Sequence, residues 1–293
     1  MSRGKGRRTV DLIESCSELL REIQPASVRA VCYQLFVAGK IDSMAKSNTQ
    51  RVSRLLTTAR EEGIIPWEWI VDETREVEQK STWADPQRFA RTITRDYRKD
   101  KWAAQPVRVE VWSEKGTVRG TLGPVLDEYE VAFRVMHGFA SATAIHDAAE
   151  TVRADQRKLV ILYVGDWDPS GLNMSEKDVP SRLQEYVKKT PGGKCSWKIE
   201  RIALTQEDTE DLPPFAAETK IKDPRYQWFV EEYGEDCWEL DAMSPTNLRD
   251  RVKDRIEDLL DRATWDRYVT AEALEQASIT NAVESWNMLK AIV

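Results

Sequence analysis

The sequence predicts an α/β protein, α+β over its full length, in which a helical N-terminal region precedes an open, largely parallel sheet. Three observations carry that expectation. The run Leu159-Val160-Ile161-Leu162-Tyr163-Val164 is apolar at consecutive positions, the pattern of a strand covered on both faces, and it stops at Gly165-Asp166-Trp167-Asp168-Pro169-Ser170-Gly171. Around it, strand-like and helix-like segments alternate over residues 107–164 as in a βαβαβ unit. Ahead of it, residues 9–62 carry three helical patterns in succession.

Thr9 caps the first of these, whose apolar residues Val10, Leu12, Ile13, Cys16, Leu19, Leu20 and Ile23 recur at helical spacing up to Pro25. Ser27 caps the second and Gly39 closes it, with Val28, Val31, Cys32 and Leu35 as its stripe. At about 100° per residue, Arg29 and Tyr33 stand together as an i, i+4 pair on the flank of that stripe. There the tyrosine is expected to be at least partly reachable. Residues 42–62 form a connector and a basic helix, in which Arg51, Arg54 and Arg60 flank Val52, Leu55 and Leu56, and Gly63 ends it. Residues 64–71 then look like a short β-wing. Two helices, a basic helix and a wing make a winged-helix pattern, whose last helix approaches DNA, so Arg51 and Arg54 are expected phosphate contacts. Residues 72–104 are polar and partly helical, with Phe89, Ile93 and Tyr97 at i, i+4 spacing, and residues 81–105 are expected to be a linker.

The α/β part opens with a strand over 107–112 that alternates in polarity and is followed by Ser113-Glu114-Lys115-Gly116. A helix over 117–129, a strand over 131–136 ending at His137-Gly138 and a helix over 141–154 lead to the Leu159 strand. A strand over 197–204, an acidic stretch through Trp238-Glu239-Leu240-Asp241-Ala242-Met243 and an amphipathic helix over 248–260 extend it. The expected division is a DNA-binding domain over 1–80, the linker, and an α/β domain with a helical extension over 106–293.

The chemistry concentrates at strand ends. Asp166 and Asp168, as i and i+2, point to one side if extended geometry continues, and adjacent carboxylates repel unless a cation neutralises them. Asp-x-Asp-Pro is also ordinary turn chemistry. Glu114 ends another strand, and in an open parallel sheet the carboxyl ends of neighbouring strands share one crevice. The three acids are thus candidates for a single hard divalent cation, Mg²⁺ above all.

Other classes fall away. Four cysteines without paired spacing, Cys16, Cys32, Cys195 and Cys237, read as reduced, packed thiols, and two histidines are too few for a histidine metal cluster. Gly192-Gly193-Lys194-Cys195 lacks the upstream glycine and the hydroxyl residue of a phosphate-binding loop. No apolar run approaches a membrane span, so a cytoplasmic, nucleoid-associated protein is expected. The net charge is −7, but residues 1–60 hold 11 Lys/Arg against 5 Asp/Glu, and such local basic surface is what DNA needs.

Glu114-Lys115 after one strand and Asp166-Trp167-Asp168-Pro169-Ser170-Gly171 after a later one resemble the TOPRIM domain of topoisomerase VI A subunits and the meiotic double-strand-break proteins. Arg29-Ala30-Val31-Cys32-Tyr33 is similar to the Arg-x-x-(Tyr/Phe)-Tyr of the same family's winged helix, with Cys32 in place of the penultimate aromatic. The resemblance covers roughly residues 27–260 and looks like a compact, stand-alone member. It implies Glu114, Asp166 and Asp168 as ligands of Mg²⁺ or Mn²⁺, Tyr33 as the nucleophile and Arg29 as its assisting cation, with Lys115 beside the DNA. It also implies double-stranded DNA as substrate, a homodimer joining Tyr33 of one subunit to the metal site of the other, and a separate ATPase B-type subunit as a further partner. Two other readings stay open: a TOPRIM nuclease whose metal activates water, and a non-catalytic winged-helix DNA-binding protein.

Overall fold

A computed structural model describes residues 6–71, 82–136, 142–155, 157–188 and 196–290. By its contacts the chain gathers into two units, Met1–Arg75 with Val109–Ile256, and Glu76–Arg108 with Glu257–Val293.

The first unit starts with α1 (Arg7–Ile23), which buries Leu12, Ile13, Cys16, Leu20 and Ile23 at helical spacing. After β1 (Ala26–Ser27) comes α2 (Val28–Val37), where the Ser27 hydroxyl accepts a 3.2 Å bond from the Ala30 amide. Gly39 and Gly63 take φ of +66° and +72°, which lets the chain leave α2 and then α3 (Lys46–Glu61) without strain. Val31, Cys32 and Leu35 of α2 and Val52, Leu56 and Ala59 of α3 close one apolar core with α1. The wing expected over 64–71 is replaced by something else. Pro66 leads into a single tight turn, Trp67–Trp69, Ile65 and Ile70 enter the core, and β2 (Ile70–Val71) runs parallel to β1, with Ala26 opposite Ile70. With both isoleucines drawn inward, the segment does not double back as a hairpin.

In the second unit, α4 (Pro86–Asp96) starts from the Asp85 side chain, which accepts from the Arg88 amide at 2.8 Å. The stretch expected as a linker, 81–105, therefore contains a helix and shares a unit with the C-terminal segment. There Lys99 and Lys101 pair with Glu275 and Glu272 at 2.6 and 3.0 Å, and Trp102 meets Trp265 edge-on at 5.9 Å. The polarity that suggests a solvated connector supplies ion pairs instead.

Back in the first unit, β3 (Val107–Ser113), α5 (Val118–Tyr129), β4 (Ala132–Val135), α6 (Ala142–Ala154) and β5 (Lys158–Val164) follow in turn. Next come α7 (Pro169–Asn173), a wider turn over Met174–Asp178, α8 (Val179–Lys188) and β6 (Trp197–Ala203). The four strands form a sheet of order β4-β3-β5-β6, parallel in the registers Glu110 opposite Ala132 and Leu159 opposite Trp197. The α/β class is therefore observed. β5 is buried from Leu159 to Val164, as its apolar run requires. β3 is also central, so its alternation does not expose one face: Glu110 is buried and held by Trp112 Nε1 at 2.8 Å and Arg134 Nε at 3.2 Å.

Four short elements, α9 (Asp208–Asp211), β7 (Phe215–Ala216), α10 (Tyr226–Tyr233) and β8 (Asp236–Cys237), precede two longer helices, α11 (Pro245–Leu259) and α12 (Arg262–Lys290). Cys16, Cys32 and Cys237 are free and buried, in line with packed thiols. Among the described residues no helix is long and apolar enough to cross a membrane. His137-Gly138 and Gly192-Gly193-Lys194-Cys195 lie outside the described residues.

Candidate functional site

β3 and β5 are neighbours, yet the chain leaves β3 outward to β4 and leaves β5 the other way to β6. This is a topological switch point, where a crevice opens beyond the carboxyl ends of the strands. Glu114 follows β3 and Asp166 and Asp168 follow β5, so the three acids border that crevice.

The turn after β5 is fixed by backbone geometry. Asp168 caps α7, its Oδ1 accepting from the Gly171 amide at 2.7 Å, and Asp166 Oδ1 accepts from the Leu240 amide at 2.7 Å. Gly171 has no alternative, because a Cβ there would lie 2.3 Å from the Asp166 carbonyl oxygen. Beneath the turn, the Arg201 guanidinium donates to the carbonyls of Gly165, Asp166, Leu204 and Gly171 at 2.7–3.1 Å, and to the Ser175 hydroxyl at 3.1 Å. Those bonds engage all three guanidinium nitrogens.

Above the turn the charges interlock. Lys115 Nζ lies 2.8 Å from Asp166 Oδ1 and 3.1 Å from Asp241 Oδ2, and Lys220 Nζ lies 2.9 Å from Asp168 Oδ2. Burial, and then the charges of Asp166 and Asp168, push the Glu114 carboxyl up to about 7. Burial also raises Asp166, with Lys115 opposing it. Burial works against the Lys115 ammonium, but Asp166 and Asp241 outweigh it and hold its pKa above the ordinary lysine value.

The Mg²⁺ that the resemblance implies suits this donor set, since three carboxylates are hard oxygen ligands. Among the described residues, however, no three His, Cys, Asp or Glu side chains are arranged as ligands of one ion. Asp166 and Asp168 face lysines instead. The acids fit a divalent cation in kind and location, while in this conformation two ammonium groups supply the positive charge.

α2 docks onto the same crevice. Arg29 Nε meets Asp241 Oδ2 at 2.9 Å and its terminal nitrogen pairs with Glu239, while Gln34 Nε2 donates to the Ala242 carbonyl at 3.2 Å. Tyr33 is therefore not reachable as its place on the helix flank suggests: it is 6% exposed. The 238–243 segment approaches the flank that the helix's own core leaves free. Burial, and then Glu239 and Asp241, push the Tyr33 phenol up to about 12, only partly offset by Arg29 and Lys115.

Arg51 and Arg54 are exposed on α3, and Arg51 lines a groove with Arg8 and Lys40 but also with Asp11 and Asp42. Lys220 and Arg201 belong to no motif in the sequence, and Glu239, Asp241 and Tyr163 stand out there only as members of an acidic stretch and an apolar run. For Arg201 a signal existed, since a charged residue inside a strand predicted beside a buried one needs a partner. Comparison with protein families, with characterised proteins and with solved structures gives no match.

Proposed function

We propose that this chain is a metal-dependent DNA-cleaving enzyme of the topoisomerase VI A kind. The observation that supports it best is the place of Glu114, Asp166 and Asp168 at two neighbouring strand ends beside the switch point, where burial, and then the charges of the two aspartates, push Glu114 up to about 7. These three residues would hold Mg²⁺, or Mn²⁺ in its place. When bound, the ion would neutralise charge on the scissile phosphate and the departing oxygen.

The Tyr33 oxygen attacks phosphorus, a P–O bond to tyrosine forms, the bond to the 3′ oxygen breaks, and the phenolic proton ends on that 3′ oxygen. The product is a 5′-phosphotyrosine link and a strand break. For this, α2 leaves its present seat: a DNA phosphate takes the place of Asp241 and Glu239 on Arg29, which frees Tyr33. In a homodimer each subunit offers Tyr33 to the acids of the other, and Arg51 and Arg54 hold the DNA backbone.

One observation favours a second reading, hydrolysis by water. Tyr33 is buried and its phenol is pushed away from ionisation, so it is a poor nucleophile where it now sits.

Supercoiled plasmid incubated with the protein and Mg²⁺ or Mn²⁺, then run with and without proteinase, tests both. Under the leading reading, cleaved DNA carries covalent protein, and Tyr33→Phe loses the adduct while retaining DNA binding. Alanine at Glu114, Asp166 and Asp168 together reduces cleavage at least about 100-fold. Cleavage by Tyr33→Phe without an adduct establishes the hydrolytic reading. Full activity in the triple variant would refute the metal site.

A further inference from the structure

The second unit carries positive charge that its own packing does not use. Residues 82–98 hold four arginines, no lysine and two aspartates. Further along, Lys99 and Lys101 are spent on Glu275 and Glu272. On α4, Arg88, Arg91 and Arg95 follow one another at i, i+3 and i+7, so they stand in one row, away from the buried Ala90. All three are exposed. Arg88 reaches Asp85 only at 3.8 Å, Arg95 pairs with its exposed neighbour Asp96, and Arg91 has no partner among the described residues. Exposed pairs of this kind hold their cations weakly.

Beside that row the helix presents aromatic surface. Trp83 and Phe89 meet edge to face with ring centres 4.7 Å apart, and they are 41% and 44% exposed. Trp83 Nε1 donates to the Thr92 hydroxyl at 2.9 Å, and Thr92 is the helical neighbour of both Arg88 and Arg95. The indole is thus fixed on the outside of α4, next to the arginines, with its one donor satisfied. Ile93, also 44% exposed, continues the platform along the helix.

We propose that this face of α4, together with Trp83, binds single-stranded DNA. Phosphates lie on the arginine forks, and unpaired bases stack on Trp83 and Phe89. A duplex offers the same phosphates but keeps its bases stacked on one another, which leaves the rings unused. A lipid surface would gain little, because Trp83, Phe89 and Ile93 are a small apolar area to insert and the exposed Asp85 and Asp96 repel anionic headgroups. The threonine hydroxyls of α4 are already engaged, Thr92 by Trp83 and the Arg88 carbonyl and Thr94 by the Ala90 carbonyl, so neither is spare to select a ribose 2′-hydroxyl. The surface lies wholly within the second unit and depends on neither the acids nor Tyr33.

Fluorescence anisotropy of labelled oligothymidylate, oligouridylate and duplex DNA of equal length, with the full chain in EDTA over a salt series, tests this beside sedimentation with phosphatidylserine vesicles. Trp83→Ala is expected to bind oligothymidylate about 10-fold more weakly at an unchanged salt slope, with duplex binding little altered, and Trp83→Phe to recover most of the loss. Replacing Arg88, Arg91 and Arg95 together by Gln is expected to flatten the slope of log affinity against log salt by about 2. Equal losses on single strand and duplex in Trp83→Ala, tighter binding of oligouridylate, or binding of vesicles without oligonucleotide each overturns the proposal. So does single-strand binding that disappears when Arg51 and Arg54 are replaced by Gln and survives the α4 changes, since the contact then belongs to the first unit. If Trp83→Ala costs α4 its fold, the arginine variant still decides, because its substitutions are exposed: wild-type affinity and slope there overturn the proposal.

Discussion

The acid turn at 166–171 and the Arg29-Tyr33 face of α2 are joined through Lys115 and Asp241, yet they are held in opposite ways. The acid turn is gripped by its backbone, with four carbonyls on Arg201 and amides on its carboxylates. α2 is held over the crevice by side-chain ion pairs, and the Arg29 side chain is 51% exposed. Backbone bonds in a buried site are lost only on unfolding, whereas an ion pair whose cation is half exposed can exchange with salt or another anion. The difference separates a fixed part of the site from a movable one.

The largest effect should come from breaking the fixed part. Arg201→Ala strands several buried carbonyls, and Gly171→Ala drives a Cβ into the Asp166 oxygen, so each should cost about 3 kcal/mol or more in urea unfolding. A loss below about 1 kcal/mol would show that the turn holds itself.

Asp241→Asn attacks the movable part. It weakens the seat of Arg29 and leaves Lys115 with Asp166, at an expected cost of about 2 kcal/mol, because the charge removed is buried between two cations. Its clearer signature is access: Tyr33 should become several-fold more reactive toward nitration, and wild type should move the same way as salt rises. Equal reactivity in both proteins would mean that packing, and not charge, covers the tyrosine.

The smallest expected effect sharpens the contrast with an ion pair that bridges regular elements. Glu200 on β6 accepts from Nε and one terminal nitrogen of Arg255 on α11 at 2.7 and 3.0 Å, and chiefly through that pairing its carboxyl is lowered from 4.5 to about 2. A carboxyl lowered on folding adds stability that is present above pH 4.5 and is lost as pH falls toward about 2. Wild type should therefore exceed Glu200→Gln by about 1 kcal/mol at neutral pH and converge with it near pH 2, as read by melting along a pH series. A gap that persists at pH 2 would assign the difference to packing.

Much of this was legible from local pattern. Ser27 caps α2, Gly39 and Gly63 close their helices, and the apolar run of β5 stops where the acids begin, because each is decided within a few residues. The two readings of Asp-x-Asp-Pro turn out compatible, since Asp168 caps α7 while bordering the crevice. Tyr33 was misjudged for a physical reason. Helical periodicity identifies the face buried by neighbouring helices, but the contact at Asp241 comes from 212 positions along the chain. Lys220 left no trace either, being a lysine in a short irregular stretch whose meaning comes only from Asp168 opposite it.

The second unit draws its halves from Glu76–Arg108 and Glu257–Val293. On the ribosome the first half emerges early and must wait for all of 109–256 to be made before Glu272 and Glu275 reach Lys101 and Lys99. The intervening unit can fold meanwhile, and in doing so it replaces a long flexible loop with a compact insert, which alters the entropy of bringing the two halves together. The order of translation thus makes the second unit the last to close, and its acidic partners the last to neutralise the lysines of the nascent chain.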